Sequence, residues 1–268
     1  MRRATAAPPC VTRPGGRPRT CTVVTRAIPT LLLVLVAGVA AVSGPGLESA
    51  HAVGGTEVTT FGTNSGALKM FRYVPLGLPA GAPMVVAMHG CTQSAAAYDD
   101  EPGWVALADR WKFAVVLPEQ QTSNNSSRCF NWFQGSDIGR GLGEALSIKQ
   151  MVDQTKADLN SNPARTFVTG LSAGGAMTSV MLASYPDVFA GGAIMAGVAG
   201  YPHSIYRDAA DRNAVHLYSI TGMNHGTPVD PGTGPTQCGT AAPYILDVNI
   251  CSSSYIAKSW GLDTPAPA

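Results

Sequence analysis

The chain has 268 residues, of which 45% are hydrophobic, 13% charged and 7% aromatic, and its formal net charge is +1. That balance excludes a disordered tail protein, a polytopic membrane protein and a collagen-like repeat, and it fits one globular domain. The near-neutral total hides an asymmetry, because six arginines and no acid fall within the first 26 residues.

Those arginines are followed by the apolar or small run IPTLLLVLVAGVAAV, residues 28–42, and then by the small-x-small triplet Ala50-His51-Ala52. Basic region, short apolar core and small-residue triplet together predict a secretory signal peptide over 1–52, leaving 53–268 as an exported, extracellular domain. An uncleaved membrane anchor is the alternative, but the run is shorter than the roughly 20 residues that a spanning helix needs. Residues 53–268 carry 12 basic and 16 acidic side chains, a formal charge of −4, with no basic stripe suited to nucleic acid. The expectation is a monomer with no nucleic-acid partner and no membrane contact after cleavage.

Four cysteines follow the cleavage site: Cys91, Cys129, Cys238 and Cys251. An even number in an exported chain argues for two disulfides, and of the three connectivities the sequence-local one, Cys91 with Cys129 and Cys238 with Cys251, is expected. A zinc site is the rival reading, but no C-x-x-C pair or His-x-x-x-His spacing accompanies them. No metal and no cofactor are expected.

In chain order, alternation through LKMFRYV at 68–74 predicts an early strand, and a Gly/Pro-rich turn follows at 76–83. The continuous run MVVAM at 84–88 predicts a central strand covered on both faces. Residues 104–111 read as a helix, FAVVL at 113–117 as a second buried strand, and 119–127 as a polar loop. Apolar positions Ala145, Ile148, Met151, Val152 and Leu159 follow helical period over 143–159. Asn162-Pro163 then breaks the pattern before a third buried strand beginning TFVT at 166–169. A helix at 173–185 and strands at 189–195 and 215–221 complete an alternation that implies an α/β protein, a mostly parallel sheet with helices on both faces. The Pro-rich end, 264–268, reads as the start of a linker.

Between the strand at 166–169 and the helix at 173–185 lies Gly170-Leu171-Ser172-Ala173-Gly174, a G-x-S-x-G. The motif alone is weak, but a sharp strand-to-helix turn at this place lifts the Ser172 hydroxyl above the sheet. A serine hydroxyl needs a base near neutral pH. His225, in the turn-forming stretch Thr221-Gly222-Met223-Asn224-His225-Gly226, is the candidate, and the order Ser before His is that of hydrolase sheets. His216 reads as a solvent-facing strand residue and His203 as a surface-loop residue. The Ala173 amide is one candidate donor to a developing oxyanion, and the Cys91 amide, with Thr92 its neighbour, is the second. His89 is expected to brace the His89-Gly90-Cys91-Thr92-Gln93 loop by hydrogen bonds.

The segments HGCTQ (89–93), RCFNWFQG (128–135), RGLGEALSIKQMV (140–152), GLSAGGAM (170–177) and ITGMNHGTPVDPG (220–232) together resemble the secreted polyhydroxybutyrate depolymerase family of esterases, a family related to feruloyl and acetylxylan esterases. The resemblance covers nearly all of 57–262. It implies an α/β-hydrolase fold, a Ser-His-Asp triad with Ser172 and His225, and ester hydrolysis in an extracellular setting. Trp132 and Phe133 are candidates to line the acyl or polymer groove, with a core role the alternative.

The resemblance fails at the acid. The family carries it on a strand end between the strands matching 189–195 and 215–221, and here only the 17 residues 198–214 fill that interval. One parallel crossover consumes about a dozen residues, so the acid-bearing strand segment is expected to be lacking. Asp208, Asp211 and Asp230 are the candidate substitutes, with solvated turn acids as their plain reading. The leading expectation is a secreted serine esterase acting on poly- or oligo-hydroxyalkanoates. The alternatives are a feruloyl or acetylxylan esterase on plant polysaccharide, and an exported binding protein made catalytically weak by the missing acid.

Overall fold

Among the described residues, nine α-helices and β-strands precede Ser172. In chain order these are β1 (Thr56–Glu57), β2 (Lys69–Tyr73), β3 (Met84–Met88), α1 (Ala95–Asp99), α2 (Trp104–Trp111), β4 (Ala114–Glu119), α3 (Gly135–Ile138), α4 (Gly143–Leu159) and β5 (Thr166–Leu171). After it come α5 (Ala173–Ser184), β6 (Gly191–Met195), β7 (Thr227–Val229), β8 (Ile245–Asp247) and α6 (Ser252–Ser259). The computed structural model describes residues 55–196 and 223–264, all within one unit that spans Ala50–Ala268. The expected signal peptide, the strand at 215–221, His203, His216, Asp208 and Asp211 lie outside the described residues.

The sheet has the order β1-β2-β4-β3-β5-β6. β4, β3, β5 and β6 run parallel, while β1 and β2 form an antiparallel edge. Every residue of β3 is buried, as its unbroken apolar run predicts. Met84, Val86 and Met88 enter one core and Val85 and Ala87 the other, because successive side chains of a strand point to opposite faces. β4 divides likewise, Ala114 and Val116 against Val115 and Leu117.

α4 covers the first face with Ala145, Ile148, Met151 and Val152, and α5 adds Met177 and Met181. The second face is covered by Tyr98 of α1, by Trp104, Leu107 and Ala108 of α2, and by Ala257 of α6. Trp260, just past α6, stacks on Phe167 with ring centroids 4.7 Å apart. Helices therefore lie on both faces of a mostly parallel sheet, the α/β-hydrolase arrangement. α2 and α4 occupy the expected ranges, and both end on left-handed residues, Lys112 (φ 55°) and Asn160 (φ 49°), which stop a helix sharply. The short elements β1, α1, α3, β7 and β8 and the serine-rich α6 carry too little periodicity to be read from sequence.

Two disulfides join Cys91 to Cys129 and Cys238 to Cys251, the sequence-local pairing. The first ties the loop after β3 to the loop after β4. The second closes the lobe in which β7 and β8 pair in parallel.

Candidate active site

The site is built at the turn from β5 into α5. Ser172 takes φ 56° and ψ −115°, a backbone state that L-residues rarely enter, and its amide donates to Met195 O (2.9 Å). Such strain persists only where surrounding structure enforces it. Two glycines permit the enforcement. A Cβ on Gly170 would lie 2.4 Å from Gly174 backbone atoms, and one on Gly174 would lie 2.4 Å from Met88 O and 2.5 Å from His89 O. The first and last glycines of the motif thus let the turn close on itself and let α5 press against the end of β3.

That pressure brings the loop after β3 against the serine. A Cβ on Gly90 would stand 3.5 Å from the Ser172 Cβ. Ser172, Gly90, Cys91, Thr92, Gln93, Leu171, His225 and Tyr244 line one cavity of about 190 Å³. His225 is exposed and stands two residues before β7. Its placement follows from the β7–β8 pairing: Thr227 N–H donates to Tyr244 O (2.8 Å), and a Cβ on Gly226 would meet the same oxygen at 2.7 Å.

Among the described residues, no acceptor pairs with the Cys91 amide. The Ala173 amide, first in α5, has no intrahelical partner, as for every helix start. The Thr92 amide is instead occupied by Ser127 O (2.7 Å). Both are backbone donors without an acceptor among the described residues, the kind of group that can stabilise an oxyanion.

His89 is fully buried, and its two ring nitrogens are both engaged. As the Nδ1–H tautomer it donates to Gly90 O (2.7 Å), while Nε2 accepts from Gln120 N–H (3.2 Å). Its pKa is lowered to about 4, chiefly by burial, with the Gly90 O hydrogen bond opposing the shift and the positive charge of Arg128 adding to it. A neutral ring saturated in this way braces the loop and leaves no nitrogen for proton transfer.

Trp132 is half-buried and packs against the first core, and Phe133 is 58% exposed; neither lines the cavity. Asp230 lies outside it too, its carboxylate accepting from Gln237 Nε2 (3.1 Å). No carboxylate among the described residues is hydrogen bonded to His225. Sequence reasoning gave no role to Gln93, which accepts from Gly90 N–H (2.8 Å) and reaches Pro243 O (3.4 Å), bridging the Cys91 loop to the His225 lobe. It also passed over Tyr244, held at φ 65° on the cavity wall. Gln93 stands inside the quoted HGCTQ segment, whereas Tyr244 has no local signal. Among the described residues, no group of acids, histidines and cysteines could hold a metal ion, and no helix is long and apolar enough to cross a membrane.

A sheet of this order, with a serine on its strand-to-helix elbow and free amides beside it, defines an α/β-hydrolase. Residues 68–214 match the family model described as esterase PHB depolymerase, and the chain belongs to that family of carboxylic ester hydrolases. It is similar to the poly(3-hydroxyalkanoate) depolymerase C of Paucimonas lemoignei, 44% identical over 290 residues, covering 77% of this chain and 70% of that protein. Acetylxylan esterase A of Talaromyces purpureogenus is 34% identical over 201 residues, covering 74% of this chain and 51% of that one. A solved acetyl xylan esterase from Aspergillus awamori superposes with a TM-score of 0.50 at 34% identity, covering 54% of this chain and 52% of its own. The chain thus spans only about half the length of these acetylxylan esterases.

The depolymerase match is gapped. It extends over 290 residues while covering 77% of 268, about 206 residues, so some eighty residues within the aligned stretch have no counterpart here.

Proposed function

We propose that the protein is a secreted serine esterase that cleaves short-chain hydroxyalkanoate polyesters or their oligomers by acyl transfer. The observation that carries this reading is the strained Ser172 facing a cavity shared with His225 and with the unpaired Cys91 amide. Ser172 Oγ attacks the ester carbonyl carbon as His225 takes its proton, and the Cys91 and Ala173 amides hold the oxyanion. Collapse of the tetrahedral species breaks the C–O bond, and His225 returns the proton to the departing alcohol. Water, deprotonated by His225, then releases the acid and restores Ser172.

Loss of the carboxylate that orients the histidine costs about 10⁴-fold in turnover relative to a complete triad, while the oxyanion hole sustains residual catalysis; Asp208 and Asp211, outside the described residues, are the candidate substitutes. The two disulfides and the sequence-level signal peptide support an extracellular setting. The similarity to acetylxylan esterases supports a second reading, cleavage of acetyl esters on polysaccharide.

The test compares hydrolysis of p-nitrophenyl butyrate by the native chain and by Ser172→Ala, followed by initial rates on a hydroxybutyrate oligomer, acetylated xylan and methyl ferulate. Loss of turnover in Ser172→Ala with the oligomer preferred is the expected result. Hydrolysis undiminished by Ser172→Ala overturns the mechanism, and preference for acetylated xylan transfers the substrate to the second reading.

A further inference from the structure

Beneath the cavity lies a buried polar network that the chemistry above leaves unused. Glu144, the second residue of α4, has no exposed surface. Its carboxylate accepts from Gln120 Nε2 (2.6 Å), from the Asn131 backbone N–H (2.9 Å) and, at longer range, from Asn124 Nδ2 (3.4 Å). These donors belong to one loop, which runs from the end of β4 to α3 and carries Cys129.

Two routes lead from that carboxylate to Cys91. In the first, Gln120 donates its backbone N–H to His89 Nε2, and the His89 ring in turn engages Gly90 O, the carbonyl of the peptide whose N–H is the Cys91 amide. In the second, Gln120 Nε2 also reaches Cys129 O (3.1 Å), and Cys129 is bonded through its disulfide to Cys91. The same loop supplies Ser127 O, which occupies the Thr92 amide, whereas the neighbouring Cys91, on the cavity wall, has an amide with no acceptor among the described residues.

We infer that Glu144 is a positioning residue of the esterase, fixing the Cys91 amide in the oxyanion hole through the Gln120–His89 contact and the Cys129 disulfide. This rests on the reading of Cys91 as an oxyanion donor. A carboxylate is the one side chain of this length that offers acceptors to all three donors. Glutamine, its isostere, turns an N–H₂ toward either Gln120 Nε2 or Asn131 N–H, and two donors left facing each other in a buried site must separate.

The helix cannot be the part that yields. A Cβ on Gly66 would lie 2.4 Å from Glu144 Cα, so another backbone already presses on this turn, and Glu144 N–H donates to Asp137 Oδ1 (3.2 Å). The displacement falls on the loop and is delivered to Cys91. A carboxylate that merely staples the loop for stability would lower the melting temperature without a kinetic signature, and the two roles separate on that ground.

The experiment uses the full chain with Glu144→Gln, Gln120→Met and both together. It measures kcat and KM for p-nitrophenyl butyrate, the rate of Ser172 labelling by an alkyl p-nitrophenyl phosphonate, and the melting temperature. Deleting an oxyanion donor outright costs about 10²–10³-fold, and a displaced donor should cost somewhat less. The expected result is kcat and labelling lowered together by about 10- to 100-fold with KM held within about twofold, and a double variant no worse than the poorer single one. Gln120→Met, which keeps the backbone N–H to His89, carries the test if Glu144→Gln does not fold. Labelling and kcat within about twofold of native in a folded variant overturn the inference, as does a double variant whose losses multiply. Failure of the native chain to label at Ser172 overturns the esterase reading itself, and this inference with it.

Discussion

Replacing Gly174 by alanine tests whether the elbow and the oxyanion loop are held by one contact. The new Cβ would stand 2.4 Å from Met88 O, 2.5 Å from His89 O and 2.8 Å from Met88 C, all backbone atoms of the β3 end that no rotamer change can clear. Restoring an ordinary contact of about 3.4 Å moves α5 and β3 apart by about 1 Å, and a misplacement of that size costs about 10²-fold in rate. Overpacking costs about 1–3 kcal/mol, offset by up to about 1 kcal/mol because alanine favours the helix. A net loss of about 1 kcal/mol lowers the melting temperature of a domain this size by about 2–4 °C. Gly135, at the start of α3, has nothing within 4 Å of its own added Cβ and serves as the control. Thermal unfolding and p-nitrophenyl butyrate hydrolysis are measured on both variants. If Gly174→Ala behaves like Gly135→Ala in both, the close approach of α5 to β3 does not set the site.

Three further outcomes follow from the same geometry. Ser172→Gly should abolish hydrolysis yet raise the melting temperature by about 2–4 °C, since relief of about 1–3 kcal/mol of backbone strain exceeds the roughly 0.5–1 kcal/mol cost of glycine's freedom; an unchanged or lower value would contradict the strain argument. Removing the Cys91–Cys129 bridge, which closes 38 residues, should cost about 4 kcal/mol, and removing Cys238–Cys251, which closes 13, about 3 kcal/mol; equal losses in denaturant titrations, or a larger one for the shorter loop, would count against this ranking. His89, neutral in the fold with its pKa near 4 and about 6.5 when unfolded, leaves the unfolded state binding more protons between those values, so its contribution is complete above pH 6.5 and is lost as pH falls toward 4. Glu144 and Asp99, raised by burial to about 7 and about 6, act in the opposite sense, so the readout is the stability difference between native and His89→Gln at pH 7.5 and 4.5. That difference should shrink toward acid by up to about 3 kcal/mol, and a constant one would mean that the ring is not held neutral.

What was legible in the sequence was whatever rests on local pattern. β3 and α4 announce themselves because an unbroken apolar run and a 3.6-residue period have few other uses, and the G-x-S-x-G is readable because its glycines answer a steric demand at two named contacts. Cys91 could be preferred to Thr92 only by loop position; the physical reason, that Ser127 O occupies the Thr92 amide, needs a contact across 35 residues of chain. Glu144 shows the opposite case. An acid in the first turn of a helix reads as a surface charge answering the helix dipole. Its burial under a loop from the end of β4 is a tertiary fact with no local trace. Tyr244 and the β7–β8 lobe were missed for a related reason, since a parallel pair of three-residue strands with no periodicity is created by the fold around it.

In a complete triad a carboxylate fixes the tautomer and orientation of the histidine ring. The depolymerase relative spans some eighty more residues within the aligned stretch, and no carboxylate among the described residues is hydrogen bonded to His225. On the proposed mechanism, the His225 backbone is placed, among the described residues, by the Tyr244 carbonyl that receives Thr227 N–H and crowds Gly226, the Gln93 bridge to Pro243, and the disulfide closing the lobe. Placement of a backbone restricts the ring to a few rotamers without selecting its tautomer, whereas the carboxylate selects both. Catalytic power in this chain should therefore rest more heavily on the oxyanion side of the site than it does in a full triad. On that side the described residues supply a buried chain of contacts, from Glu144 through Gln120 and His89 to the Gly90–Cys91 peptide.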